Sequence, residues 1–164
     1  MEFDVGIDIP RGHRNKDAID DKTRHFRLIR TGFTSIAYPA ASGHIENTRC
    51  RDRDPLDTPV RAEEPTVPDC AAQPRLIEVL QLIDAEGPVD NVACSPAKDP
   101  LCDHLHELSD RSFSQIDLIQ HLVEECDALE QAKKVERIPS SDRALAEAVV
   151  NDAMVLHRSK PTAT

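Results

Sequence analysis

The first ten residues alternate between apolar and polar side chains, and this pattern constrains the fold more than any other feature of the chain. Phe3, Val5, Ile7 and Ile9 are each separated by one residue that is acidic or glycine. A period of two predicts a β-strand with one buried face, and Pro10-Arg11-Gly12 predicts a turn at its end. The chain therefore begins with a half-buried strand.

The segment that follows is rich in turn signals and poor in helical ones. A second short strand is predicted at residues 25–29, with Phe26 and Leu28 on one face. Four prolines then exclude a helix from the next stretch; they are Pro55, Pro59, Pro65 and Pro68. This part of the chain is expected to consist of loops and short strands.

An apolar run at residues 76–83 is ambiguous from its pattern. Its length and its flanking Pro74 and Gly87-Pro88 are typical of a buried strand, whereas apolar residues at 76, 79, 80 and 83 fit one helix face. The residues alone slightly favour a helix there.

The last third of the chain has helical spacing. Ser114-Gln115-Ile116-Asp117 is a capping box, which predicts a helix over about 114–132. A second helix is predicted over about 141–158, and its apolar stripe is Leu145, Val149, Ala153 and Leu156. The polar tail 159–164 is expected to fray.

Composition argues against several classes of protein. The net charge of −10 argues against a duplex-DNA binder, and a chain with one Tyr, four Phe and no Trp offers few rings for stacking on single strands. No apolar run approaches the roughly 20 residues that span a bilayer, and the acidic first ten residues do not resemble a signal peptide. Five cysteines without a C-x-x-C spacing predict reduced thiols. We therefore expect a soluble, cytoplasmic chain that binds neither nucleic acid nor membrane.

Charge is unevenly distributed along the chain. Residues 1–53 contain ten Lys or Arg and eight Asp or Glu, whereas residues 54–164 are strongly acidic. The basic groups of the first third suit an anionic ligand, although a mixed, solvated surface would have the same composition.

Three carboxylates fall within six residues at Asp52, Asp54 and Asp57. Carboxylates this close repel one another unless a hard cation or a cationic side chain lies between them, and magnesium prefers carboxylate, water and phosphate oxygens. The alternative is a solvated acidic loop paired with Arg51 and Arg53. The spacing alone leaves both interpretations open.

Two cysteine-containing segments are candidate sites. Cys102, His104 and His106 have spacing that could bind a soft metal, but surface histidines beside a buried cysteine are the favoured interpretation. Cys126 is disfavoured as a nucleophile because it lies on an apolar stripe between two acidic residues.

Several segments of the chain resemble motifs of the soluble family I inorganic pyrophosphatases, most closely of the actinobacterial type. The family's I-E-I-P-K-G and R-N-K correspond to Ile7–Gly12 and Arg14–Lys16, its R-L-D-R to Arg27–Arg30, its M-A-Y-P-x-x-Y-G-F-I-E-x-T to Ile36–Thr48, and its D-G-D-P-L-D to Asp52–Asp57. The similarity covers about residues 1–135 without a gap.

The resemblance implies a fold and a reaction. It implies a single domain over residues 1–164, mainly β, with a small five-stranded closed barrel of the oligonucleotide-binding (OB) type over about 1–110 and two flanking C-terminal helices. In such a barrel, residues 76–83 would form a strand. It also implies magnesium-dependent hydrolysis of inorganic pyrophosphate by a homo-oligomer, in bacteria usually a hexamer.

The resemblance also assigns residues. Those matching metal ligands are Asp8, Asp52, Asp57 and Asp84, with Asp8 one methylene shorter than the family's glutamate. Asp54 matches a carboxylate beside the attacking water. Lys16 and Arg30 match phosphate-binding residues, and Tyr38 matches a supporting tyrosine.

Several family positions are changed in this chain. Ala18 replaces a glutamate, Ser42 a tyrosine, Val89 the aspartate that acts as base and metal ligand, Asn91 a lysine, and Cys126-Asp127 a tyrosine-lysine pair. Asp69 stands where a turn glycine is expected. Two functions therefore remain: a magnesium-dependent pyrophosphatase of reduced activity, or a catalytically silent relative that serves as a binding or structural subunit.

Overall fold

The computed structural model describes residues 3–20, 22–31, 37–51, 53–84, 87–103, 136–137 and 143–159, with the backbone alone for residues 80–84, 87–90 and 136–137. The strands are β1 (Val5–Ile9), β2 (Asn15–Ile19), β3 (Phe26–Thr31), β4 (Ala41–Ile45), β5 (Leu56–Val60), β6 (Ala71–Ala72), β7 (Pro74–Asp84), β8 (Gly87–Pro96) and β9 (Glu136–Arg137). A 3-10 turn covers Pro100–Cys102, and one α-helix, α1, covers Arg143–Arg158.

Seven of these strands form one curled sheet in the order β6-β1-β4-β5-β8-β7-β9, and β2 and β3 form a separate hairpin. Within the large sheet β5 and β8 are parallel, and the other pairs are antiparallel. The mainly-β class is therefore confirmed. Across the described residues no pairing joins β6 to β9, so a closed five-stranded barrel stays a prediction.

The first strand confirms the prediction from alternation. Val5, Ile7 and Ile9 are buried at 0, 1 and 4% exposure, while Asp8 lies on the other face and is partly exposed. The second predicted strand is also present, as β3, but its Phe26 and Leu28 are both 59% exposed. Alternation thus located both strands, although it did not distinguish a buried face from an exposed one.

Residues 76–83 are a strand, so the slight preference for a helix was wrong and the implication of the family resemblance was right. Leu76, Ile77, Glu78 and Val79 are all buried in β7. A strand covered on both faces has no period of two, and its continuous apolar run then includes the i, i+3, i+4 spacing of a helix.

The C-terminal helix is confirmed at Arg143–Arg158, and its predicted stripe was right in part, since Ala153 is buried and Val149 packs against the core. Ala146, Val150 and Ala153 are the buried residues, whereas Leu145 and Leu156 are 36 and 39% exposed. Small side chains allow α1 to pack closely on the core side of the sheet. The predicted helix over 114–132 and the tail beyond Ser159 lie outside the described residues.

Strands β1 and β4 approach each other unusually closely at Gly43. A Cβ atom at this position would lie 2.1 Å from the carbonyl oxygen of Gly6. Only glycine fits such an approach without moving the backbone. This contact sets the spacing between the two strands that carry Asp8 and His44.

Candidate active site

The face of the sheet opposite the core is polar across β1, β4 and β5. Gly6 on β1 pairs with His44 on β4, and His44 pairs with Asp57 on β5. Directly opposed residues of antiparallel strands share one face, with Cβ atoms roughly 5 Å apart. The sheet register therefore brings Asp57 beside His44.

The Asp8 carboxylate contacts two basic side chains. Lys16 Nζ lies 3.1 Å from its Oδ2, and His44 Nδ1 lies 3.3 Å from Oδ1 and 3.4 Å from Oδ2. Partial burial raises the pKa of Asp8, but the hydrogen bond to His44 and the charge of Lys16 outweigh it, so the pKa is lowered overall. Asp8 is therefore held in its ionised form.

His44 connects Asp8 to a second acidic residue. Its Nε2 lies 3.6 Å from Glu46 Oε1. The hydrogen bond to Asp8 raises the pKa of His44, the charges of Asp8 and Glu46 raise it further, and partial burial opposes them. His44 was not among the predicted site residues, although the family motif has phenylalanine at this position and the difference was a signal.

The predicted phosphate-binding residues lie together on the hairpin. Lys16 on β2 and Arg30 on β3 are cross-strand partners. Tyr38 lies at the turn between β1 and β2, because its carbonyl accepts from Gly12 N at 2.8 Å and its N–H donates to His13 O at 3.0 Å. The fold thus gathers the three predicted substrate residues around the end of β1.

The acidic segment forms a tight turn before β5. Cys50 N donates to Asp54 O at 2.8 Å, and Arg53 N donates to Cys50 O at 3.1 Å. Arg53 has φ +82°, in the region that favours glycine, and the family motif has glycine there. Asp54 and Asp57 are both exposed at this turn and the start of β5.

For two of the predicted metal ligands, the structure describes no side chain. Asp84 is the last residue of β7 and its backbone pairs with Gly87. Asp52 lies outside the described residues. Within the part of the chain that the structure covers, no group of three His, Cys, Asp or Glu side chains forms a ready-made metal site. The exposed carboxylates Asp54 and Asp57 nevertheless provide the oxygen donors that a hard cation prefers.

Four of the changed positions lie on β2, β4 and β8. Ala18 is on β2, and Ser42 on β4 pairs with Ile9 and Pro59. Val89, Asp90 and Asn91 are consecutive on β8, so Val89 and Asp90 belong to opposite faces of the sheet. Cys126 and Asp127 lie outside the described residues.

The expected turn conformation at Asp69 is present, with φ +61°.

Cys102 is fully buried beside Asp99, and this burial together with the Asp99 carboxylate raises the pKa of its thiol to about 11. His104 and His106 lie outside the described residues. Cys50, Cys70, Cys94 and Cys102 are free thiols in the structure, and their reduced state stays a prediction.

The fold is therefore that of a class of proteins in which a basic hairpin contacts an acidic face of a curled sheet, an arrangement that suits an anion accompanied by a cation. Known proteins specify the family. A family model described as inorganic pyrophosphatase matches residues 5–157. An inorganic pyrophosphatase of Streptomyces coelicolor is 42% identical over 151 residues, covering 92% of each chain, and one of Corynebacterium glutamicum is 36% identical, covering 94% of this chain and 97% of its own.

Solved structures agree with the sequence comparison. The crystal structure of an inorganic pyrophosphatase from Thermus thermophilus superposes with a TM-score of 0.86 at 28% identity, covering 95% of this chain and 91% of its own. The chain belongs to the inorganic pyrophosphatase family, as its motifs predicted. Among the described helices, none has the length and apolar character needed to cross a bilayer.

Proposed function

We propose that the chain hydrolyses inorganic pyrophosphate to two phosphates in a magnesium-dependent reaction that is slow for its family. The observation that carries the proposal is a continuous set of contacts. Lys16, paired with Arg30 on the hairpin, contacts Asp8; Asp8 contacts His44; and His44 pairs with Asp57 on β5. The hairpin with the two cations is thus linked, through β1 and β4, to the strand that carries Asp57.

Each side chain has a role in this proposal. Lys16 and Arg30 bind the phosphoryl oxygens and stabilise the charge that develops on them, and Tyr38 supports the bound phosphate. Asp52, Asp57 and Asp84 would hold the magnesium, which when bound neutralises the substrate and acidifies a water molecule. Asp54, the carboxylate beside the attacking water in the family, would orient that water.

The changed positions account for the reduced rate. Losing one preorganised charge costs roughly 10²–10³ in rate, and Val89 removes both a carboxylate ligand and a base. Asp127 has a negative charge at a position where the family motif has a positively charged lysine. These losses need not be additive, because the groups act as a unit. They fall more heavily on the chemical step than on binding, since Lys16 and Arg30 remain.

The proposal extends to architecture. The described strands β1, β4, β5, β7 and β8 are the candidates for a closed five-stranded barrel, with a second helix over about 114–132 completing a single domain. A cytoplasmic homo-oligomer, a hexamer by analogy with the family, is expected. The TM-score of 0.86 to a pyrophosphatase, over 95% of this chain, supports the single-domain fold.

A phosphate-release assay tests the function. We expect release from pyrophosphate that requires magnesium, is abolished by a chelator and is reduced at least about 100-fold by Asp57→Asn. Asp152→Asn is the matched control, because Asp152 is an exposed residue of α1. A folded parent protein that releases no phosphate would instead support the silent relative.

A further inference from the structure

The Asp8 carboxylate has both oxygens engaged by side chains of this chain. Oδ2 lies 3.1 Å from Lys16 Nζ and 3.4 Å from His44 Nδ1, and Oδ1 lies 3.3 Å from the same His44 nitrogen. The side chain is only 18% exposed, compared with 36% for Lys16 and 30% for His44. A cation approaching Asp8 would therefore compete with these two partners for the carboxylate.

The residues around Asp8 differ from the related family in two ways that strengthen this arrangement. Asp8 is one methylene shorter than the family's glutamate, so its carboxylate stays closer to β1. His44 stands where the family motif has phenylalanine, and a phenylalanine ring has no N–H to donate to a carboxylate. Both changes favour a carboxylate that pairs within the protein.

The backbone of β1 accommodates the histidine. A Cβ atom at Gly6 would lie 3.2 Å from His44 Cε1 and 3.2 Å from Glu46 Oε1. Gly6 therefore leaves the space that the His44 ring occupies between Asp8 and Glu46. The histidine is held from both sides and lies on the same face of the sheet as Asp57.

We propose that Asp8 is a positioning residue that holds Lys16 and His44 and does not ligate magnesium. This inference rests on the proposed function, because it concerns the same metal and substrate site. His44 is the residue that keeps Asp8 away from the metal. Magnesium is then held by Asp52, Asp57 and Asp84 without help from β1.

Magnesium binding measured by isothermal titration calorimetry without substrate tests the first part. Changing even an outer-shell partner of a metal ligand costs about 10–100-fold in affinity, so Asp57→Asn should weaken binding at least about tenfold. Asp8→Asn should change the dissociation constant less than threefold. A loss of threefold or more in Asp8→Asn overturns the proposal, while an unaffected Asp57→Asn contradicts the proposed metal site instead.

A double-mutant cycle tests the role of His44. His44→Phe should free one Asp8 oxygen and tighten magnesium binding about threefold or more, whereas His44→Gln, which keeps an N–H donor, should not. The gain should disappear in Asp8→Asn/His44→Phe. A gain that persists in the double variant, or that also occurs in His44→Gln, shows a simple effect of charge and overturns the role assigned to His44.

Nuclear magnetic resonance of the histidine ring nitrogens tests the pairing of Asp8 with His44 in the absence of magnesium. The His44 signals are assigned by their loss in His44→Gln. In chelator, Asp8→Asn should shift the His44 ring nitrogen resonances, and unchanged resonances overturn the pairing. The chelator measurement is decisive even if magnesium does not bind.

Discussion

Replacing Gly43 by alanine should separate β1 from β4. The new Cβ would lie 2.1 Å from Gly6 O, 3.0 Å from Gly6 C and 3.1 Å from Ile7 Cα, all of them backbone atoms that cannot rotate away. Bringing the closest contact to an ordinary distance requires the strands to part by about 1 Å. Overpacking of this kind costs about 1–3 kcal/mol, and each ladder hydrogen bond lost adds about 1 kcal/mol. We therefore expect a loss of about 3 kcal/mol.

Urea unfolding followed by circular dichroism measures this loss. With an m-value of about 2 kcal/mol/M, Gly43→Ala should unfold at roughly 1.5 M less urea than the parent. Gly12→Ala is the control, since Gly12 has φ +80° but no heavy atom within 4 Å of the added Cβ. Its cost is the left-handed backbone alone, about 1 kcal/mol or 0.5 M. Equal midpoints for Gly43→Ala and the parent would refute the close approach of the two strands.

Three further predictions follow from single features of the chain. Arg53→Gly should raise the free energy of unfolding by roughly 0.5–1 kcal/mol in urea titration, since it relieves φ +82°, and Arg53→Ala should give no such gain. Cys94 and Cys102, whose burial raises their thiol pKa to about 12 and about 11, should stay unlabelled by a thiol reagent at pH 8 in peptide mapping; fast labelling of either contradicts its burial. Val89→Asp with Asp127→Lys should raise kcat/KM at least about tenfold, or ~1.4 kcal/mol of transition-state stabilisation; a folded double variant no faster than the parent refutes this explanation of the low rate.

Local pattern predicted the elements whose burial alternates or is one-sided. β1 was recognisable because Val5, Ile7 and Ile9 face the core while the residues between them do not. β7 was not, because Leu76 and Val79 lie in the main core while Ile77 packs with Cys102, and a register shift between Leu76 and Glu78 interrupts the period of two. Recognising the family motifs supplied that strand where periodicity failed.

The site likewise contains residues that the sequence predicted and one contact that it did not. Motif matching identified Lys16 and Arg30, and the structure places them as partners across one hairpin. The contact between Asp8 and His44 joins residues 36 positions apart and depends on the register of β1 against β4. Local sequence does not reveal that register. An unusual histidine becomes informative only when that register shows which carboxylate it contacts.

Phosphorus-31 nuclear magnetic resonance of pyrophosphate incubated with the protein tests the central claim most directly. With magnesium, the parent should convert the pyrophosphate signal to that of inorganic phosphate, and with chelator the signal should persist. Asp57→Asn and Lys16→Gln should each slow the conversion at least about 100-fold, while Asp152→Asn should match the parent. Persistence of pyrophosphate with the folded parent and magnesium would contradict the proposed activity, and undiminished conversion by Asp57→Asn would contradict the proposed site.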